Sequence, residues 1–197
     1  MLQEILKSAT AANHNELESL MFVNEIMNKT LTLQQYKTLL ATNYIVHATL
    51  ELHLHESLDD DLQQKLDIGK RNKLAALEKD LLEMGMKKEE LDVMGLDFLR
   101  LQDAGNAVSL GAMYVLEGAT LGGHVIHKKL KANPVFENLG LHYYSVYDKN
   151  LMPNWLTFVN VLNTSVPASD YTLATESAVN MFSHISEVSK AVKKTVS

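Results

Sequence analysis

At 197 residues, with 46% hydrophobic and 21% charged side chains, the chain can bury a sizeable core without disulfides or a structural metal, and it is too apolar for wholesale disorder. Its formal charge, 18 − 24 = −6, argues against general affinity for DNA, RNA or anionic lipid. The absence of cysteine excludes thiolate zinc sites, Cys-ligated iron–sulfur clusters, thiol nucleophiles and disulfides. The segment Met1 to Lys7 carries charge inside its first turns, unlike a targeting peptide. The longest weakly polar stretch, Ala107 to Val125, is interrupted by Glu117 and His124 and falls short of a membrane span. A cytoplasmic protein is expected.

Helical periodicity dominates from the start. Leu2, Ile5, Leu6, Ala9, Leu17 and Leu20 recur on one helical face, which predicts a first helical segment across them. A second helix is predicted from Thr32-Leu33-Gln34-Gln35, where Thr followed three residues later by Gln makes a capping box. Its stripe runs Leu33, Tyr36, Leu40, Tyr44, His47, Leu50, Leu54. A third, from about Leu62 to Met84, meets Gly85, a residue suited to a left-handed cap. Lys87 to Met94 reads as a short helical turn. The next helix is expected from near Leu99 toward Lys131, with a glycine cluster at mid-length, and Asn133-Pro134 stops it. A loop rich in Tyr precedes a helix after Pro153 that begins Asn154-Trp155-Leu156. Pro167-Ala168-Ser169-Asp170 ends that helix and caps a last one reaching about Lys193. No segment alternates as a strand would. The expectation is an all-α fold, one domain over residues 1–197, with amphipathic helices sharing one core.

Two features carry chemistry. His14 lies at the margin of the first apolar stripe, beside Thr10, Leu17 and Met21. Glu18 follows one turn later, near enough to receive the other ring N–H and fix the tautomer, as partners of metal-bound imidazoles do. As bare spacing, His-x-x-x-Glu also describes an ordinary helix-surface pair. The stronger signal is Leu110-Gly111-Ala112-Met113-Tyr114-Val115-Leu116-Glu117-Gly118-Ala119-Thr120-Leu121-Gly122-Gly123-His124. Each glycine inside a helix costs roughly 0.5–1 kcal/mol relative to alanine. Such glycines serve either close helix–helix packing or a backbone laid against a flat ligand. A phosphate loop is excluded, because no strand precedes them and no Gly-Lys-Ser/Thr follows.

The run Leu6-Lys7-Ser8-Ala9-Thr10-Ala11-Ala12-Asn13-His14-Asn15-Glu16-Leu17-Glu18 resembles the N-terminal helix of heme oxygenases. Tyr114 to Gly123 resembles the distal helix of the bacterial branch. Tyr143-Tyr144, Met152, Trp155 and Phe158, and the apolar pattern around Phe182, are similar to its C-terminal region. The resemblance implies a helical fold holding haem b between the first helix and a kinked glycine helix. It makes His14 the proximal iron ligand, Glu18 its partner, and Thr10 and Phe182 further contacts. Gly118, Ala119, Gly122 and Gly123 would lie at the distal face and steer bound O2 toward a meso edge. Haem would be both substrate and cofactor, opened to biliverdin, CO and ferrous iron. A neutral axial imidazole suits this, since it lacks the electron push of a thiolate. No flavin or iron–sulfur motif is present, so electrons must come from a ferredoxin, flavodoxin or NAD(P)H reductase, and a phytochrome is a conceivable biliverdin acceptor.

Departures from the family sharpen the expectations. Ala119 stands where animal enzymes have a water-organising aspartate, so the proton route must be built otherwise. His47 is the candidate contributor, against the alternative of a satisfied core histidine. Lys7 matches a family lysine and is the foremost cation for the haem propionates, with Lys128, Lys129, Lys131 and Lys149 as further candidates. Two other readings stay open: a non-catalytic haem carrier or sensor on the same scaffold, and a non-haem metal oxidase or thiaminase-like protein. The spacing of His47, Glu51 and His55 suits the latter, but polar residues near a helix end usually face water.

Overall fold

The computed structural model describes residues 1–92 and 105–196. Helices α1 (Leu2–Ala9) and α2 (Ala11–Leu20) divide the first apolar stripe at Thr10. The Thr10 hydroxyl donates back to the Leu6 carbonyl at 2.8 Å, and its backbone departs from α geometry at φ −98°, ψ 1°. A back-bonded threonine bends a helix. Leu2 and Leu6 are therefore buried, while no residue of α2 is fully covered. A left-handed Phe22 (φ 56°) then leads into α3 (Val23–Met27).

Helix α4 (Leu33–Glu56) begins with the expected capping box. The Gln35 N–H donates to Thr32 Oγ1 at 3.2 Å, and the Thr32 N–H donates to Gln35 Oε1 at 2.9 Å. Except for exposed Leu33, the predicted stripe is buried. Burial also reaches residues that the sequence assigns to a solvated end: Glu51 and His55 are only 2% and 9% exposed. Helices α6, α8 and α10 all pack on α4, and its polar residues Glu51 and His55 are covered as well.

The predicted helix over 62–84 is two helices, α5 (Asp60–Leu66) and α6 (Leu74–Glu83). A left-handed Asp67 (φ 50°) and a 3₁₀ turn at Ile68–Lys70 part them and turn Arg71 and Lys73 into the interior. Gly85 takes the left-handed conformation expected of it, at φ 64°. The turn after it is α7 (Lys88–Asp92), and the expected boundaries at Met94 and Leu99 lie outside the described residues.

Helix α8 (Asn106–Lys131) runs without interruption through Gly118, Gly122 and Gly123. Helix α9 (Leu151–Ser165) starts slightly earlier than expected, with Pro153 in its first turn, where a missing N–H removes no helical bond. Helix α10 (Tyr171–Val196) lies along α8 in the most extensive helix pair of the fold. At Gly111 the two helices come so close that a Cβ would overlap the Ala174 backbone carbonyl. Ser177 adds a hydrogen bond to the Val108 carbonyl at 2.7 Å. Gly111→Ala is thus expected to lower folding stability by about 1–3 kcal/mol, the usual cost of overpacking, read as a lower urea midpoint. The buried apolar residues form one contiguous core, and the described residues contain no strand. No described helix is long and apolar enough to cross a membrane.

Candidate functional site

A cavity of about 570 Å³ opens onto α1, α2, α4, α8 and α10, a volume within the range of small-molecule and cofactor sites. Lys7, Thr10, His14 and Glu18 line it from the N-terminal helices, Gly118, Ala119 and Gly122 from α8, and Phe182 from α10. The break at Thr10 is what orients α2, and with it His14, toward this space.

The glycines of α8 divide by what surrounds them. Gly111 is demanded by packing on α10, as described. Among the described residues, and apart from the helix's own backbone, no atom lies within 4 Å of the place a Cβ would take at Gly122, and at Gly118 only the Trp155 ring approaches, at 3.8 Å. Neither position needs a glycine for the protein's own packing, yet each costs helix stability. Both open onto the cavity. Gly123, expected beside them, instead packs on the Tyr144 ring at 3.5 Å and does not line the cavity, because one residue along a helix turns about 100° from its neighbour.

The His14 ring meets the edge of Phe182, centroids 6.0 Å apart at 66°. Its Nδ1 stands 3.7 Å from Glu18 Oε1, an ion-pair separation and longer than the hydrogen bond expected between them. Lys7 is the lysine that reaches the cavity among the described residues. Lys128, Lys129 and Lys149 do not line it, and Lys131 instead donates to the carbonyls of Glu137 and Leu139.

His47 is not on the cavity wall but behind it. Its Nε2 lies 3.3 Å from the hydroxyl of Tyr143, a residue that does line the cavity, and its Nδ1 lies 2.6 Å from Glu51 Oε2. Glu51 also accepts the backbone N–H of Lys73 at 2.9 Å. Burial opposes charge on both His47 and Glu51. It holds the imidazole below its ordinary range, while the His47 hydrogen bond and the nearby Lys73 ammonium carry the Glu51 carboxyl below its own. The pair is thus a neutral imidazole and a carboxylate.

What lies beyond leaves no signal in the local pattern of residues. Glu117, one residue before Gly118, is 1% exposed and takes Arg71 and Lys73 as ion-pair partners, Lys73 at 2.7 Å. The Tyr147 hydroxyl donates to the same carboxylate at 3.0 Å. Burial works against the Lys73 charge, yet Glu117, Tyr147 and Glu51 carry its pKa up to about 12. Among the described residues, the trio of His and carboxylates close enough to share an ion is Asp80, Glu83 and His142, not His47, Glu51 and His55. There the Asp80 carboxylate accepts the backbone N–H groups of His142 and Tyr143, at 2.7 and 2.8 Å, and ties that loop to α6.

Fold and cavity define an all-α protein with a cleft walled by a histidine-bearing N-terminal helix pair and by a helix without side chains at two positions that face it. The chain belongs to the heme oxygenase family: the Heme oxygenase family model matches it over residues 1–191. Among solved structures, NO- and CO-bound heme oxygenase from Neisseria meningitidis has a similar fold, with a TM-score of 0.75 at 18% identity, over 98% of this chain and 92% of that one. No curated protein sequence matches. Family membership implies haem as the substrate.

Proposed function

We propose that this protein is a biliverdin-producing heme oxygenase, one domain over residues 1–197, that holds haem b in the cavity through His14. In this reading it opens the ring with O2 and external electrons, releasing biliverdin, CO and ferrous iron. The observation that carries the proposal is the open backbone at Gly118 and Gly122, two glycines that the protein's own packing does not require, on the same cavity as His14. A flat aromatic ring is the kind of ligand that uses such a wall.

When bound, haem supplies the iron centre at which O2 is reduced and the carbon that is oxidised. The residues of the chain do the positioning. His14 offers an imidazole nitrogen to the iron, and Glu18 places negative charge beside the same ring. Lys7 brings an ammonium to the cavity for the propionates, and Thr10 and Phe182 close the histidine side. Gly118 and Gly122, with Ala119 between them, would lie against the distal face of the haem and let it approach the backbone. His47 belongs to the polar side of the cavity through Tyr143. The proposal includes a ferredoxin, flavodoxin or NAD(P)H reductase as electron donor and a cytoplasmic location.

Trp155, the one tryptophan of the chain, lines the cavity. Hemin titration is expected to quench its fluorescence while a Soret band grows, and the ferrous-CO form is expected to give a histidine-ligated spectrum. His14→Ala is expected to lose that spectrum and His55→Ala to keep it. Ascorbate or a reductase under air should then replace the Soret band with biliverdin absorbance. A Soret band that persists under several reductants would instead make the protein a haem carrier or sensor. Binding of iron or manganese without hemin would point to the non-haem oxidase reading.

A further inference from the structure

The hydroxyl of Tyr143 sits in the cavity wall between Asn43 and His47. Asn43 donates its amide N–H to the Leu39 carbonyl at 2.8 Å, which leaves its Oδ1 turned to Tyr143 at 3.2 Å. On the other side stands His47 Nε2, at 3.3 Å. What His47 offers there depends on its tautomer, and the tautomer is set at its far nitrogen.

That far nitrogen faces a group that can only accept. Glu51 is a buried carboxylate, and its oxygens already take the Lys73 N–H at 2.9 and 3.1 Å. An ionised carboxylate has no proton to give, so the 2.6 Å contact to His47 Nδ1 requires the proton on Nδ1. The neutral ring then has a bare Nε2. The other charged or titratable groups near His47 include Lys73 at the start of α6, Glu117 on α8, Tyr143, and His55 two turns along α4, and burial outweighs the charges in holding the imidazole below its ordinary range. Burial likewise raises the Tyr143 phenol, which stays protonated.

We infer that Glu51 is a positioning residue that locks His47 in the Nδ1–H form and thereby makes Tyr143 a hydrogen-bond acceptor toward the cavity, able to hold a water against the bound substrate. With Nε2 and Asn43 Oδ1 both placed to accept, the single Tyr143 proton goes to one or the other inside the wall, and the lone pairs of its oxygen are left for the cavity. The chain supplies this oxygen where Ala119 supplies no carboxylate. The inference rests on the heme oxygenase reading for the identity of the substrate, but not for the tautomer.

Glu51→Gln is the test. Gln has one acceptor and one donor where Glu has two acceptors. The backbone N–H of Lys73 cannot change, so the amide nitrogen must face His47 and drive the proton to Nε2. Nitrogen-15 NMR of the imidazole in the haem-free protein is expected to show Nδ1–H in the wild type and in Glu51→Asp, and Nε2–H in Glu51→Gln. Thermal unfolding checks that each variant folds. In haem turnover, Glu51→Gln and Tyr143→Phe are each expected to slow ring opening about tenfold, the size of one ordinary hydrogen bond, with hemin affinity unchanged. The double variant should be no slower than Tyr143→Phe alone, because both remove the same contact. An Nε2–H wild type, a tautomer unmoved by Glu51→Gln, or additive rate losses would overturn the inference. A wild type that binds no hemin would sink the heme oxygenase reading and leave the NMR result to decide the role of Glu51.

Discussion

Glu117→Ala is expected to remove about 3–5 kcal/mol of folding stability, the cost of leaving buried charge without its partner. Two cations depend on this carboxylate. Arg71 and Lys73 are 2% and 1% exposed, and each ion-pairs with Glu117. Their other side-chain hydrogen bonds go to neutral groups: Arg71 donates to the carbonyls of Leu66 and Asn154, and Lys73 to the carbonyl of Arg71. Removing the carboxylate strands two charges in the interior. Replacing all three residues by apolar ones of similar size should recover most of the loss, since a buried triad is worth little against good packing. Urea unfolding reads both. The pH dependence has a defined sign. Burial raises the Glu117 pKa, but Lys73 and Arg71 more than offset it and hold the carboxyl below its unfolded 4.5. This contribution is complete above about pH 4.5 and is lost as pH falls through the folded value. For Lys73 the stabilisation is complete below its unfolded 10.5 and is lost as pH rises through about 12. A wild type whose stability stays flat as pH falls below 4.5, or a Glu117→Ala protein as stable as wild type, would refute this account.

Gly118→Leu and Gly122→Leu are expected to separate folding from ligand binding. Among the described residues, and apart from the helix's own backbone, only the Trp155 ring comes within 4 Å of a Cβ at these positions, 3.8 Å from that of Gly118. Alanine therefore fits at both, and each Gly→Ala exchange should raise the stability of the haem-free protein by about 1 kcal/mol. Leucine at either site projects into the space assigned to the porphyrin. Hemin affinity should then fall about a hundredfold or more, beyond what one misplaced methylene does in an apolar pocket. Trp155 fluorescence gives the affinity and thermal unfolding the stability. The result contrasts with Gly111→Ala, where the added methyl meets the Ala174 backbone and stability itself drops. Unchanged hemin binding in both leucine variants would mean that the flat ligand does not lie on this helix.

The Glu117 anchor and the glycine wall belong together. The carboxylate fixes α8 one residue before Gly118, and on α4 the Glu51–His47 pair connects with the same lysine through the Lys73 backbone. Rigid support of this kind holds a site to its geometry more tightly than loops can.

Local pattern was enough for much of this molecule. The 3.6-residue period marked the helices, the Thr32–Gln35 box gave the start of α4, Gly85 gave a stop, and two separated motifs pointed to His14 and to the glycine helix. Each is a property of residues within a few turns of one another, and a single sequence carries it whole. Which glycine meets a partner helix and which meets a cavity depends on what stands opposite: Gly111 faces Ala174, Gly123 faces Tyr144, and Gly122 faces open space. Glu117 read as a polar interruption in an apolar run, and Glu51 and His55 as a wet helix end, because periodicity reports the average face of one helix and not the charge waiting across the core. Glu117 finds Arg71 at 46 residues' separation and Tyr147 at 30. Only tertiary packing brings such groups together, and a buried charge is affordable only when its distant counter-charge arrives with it.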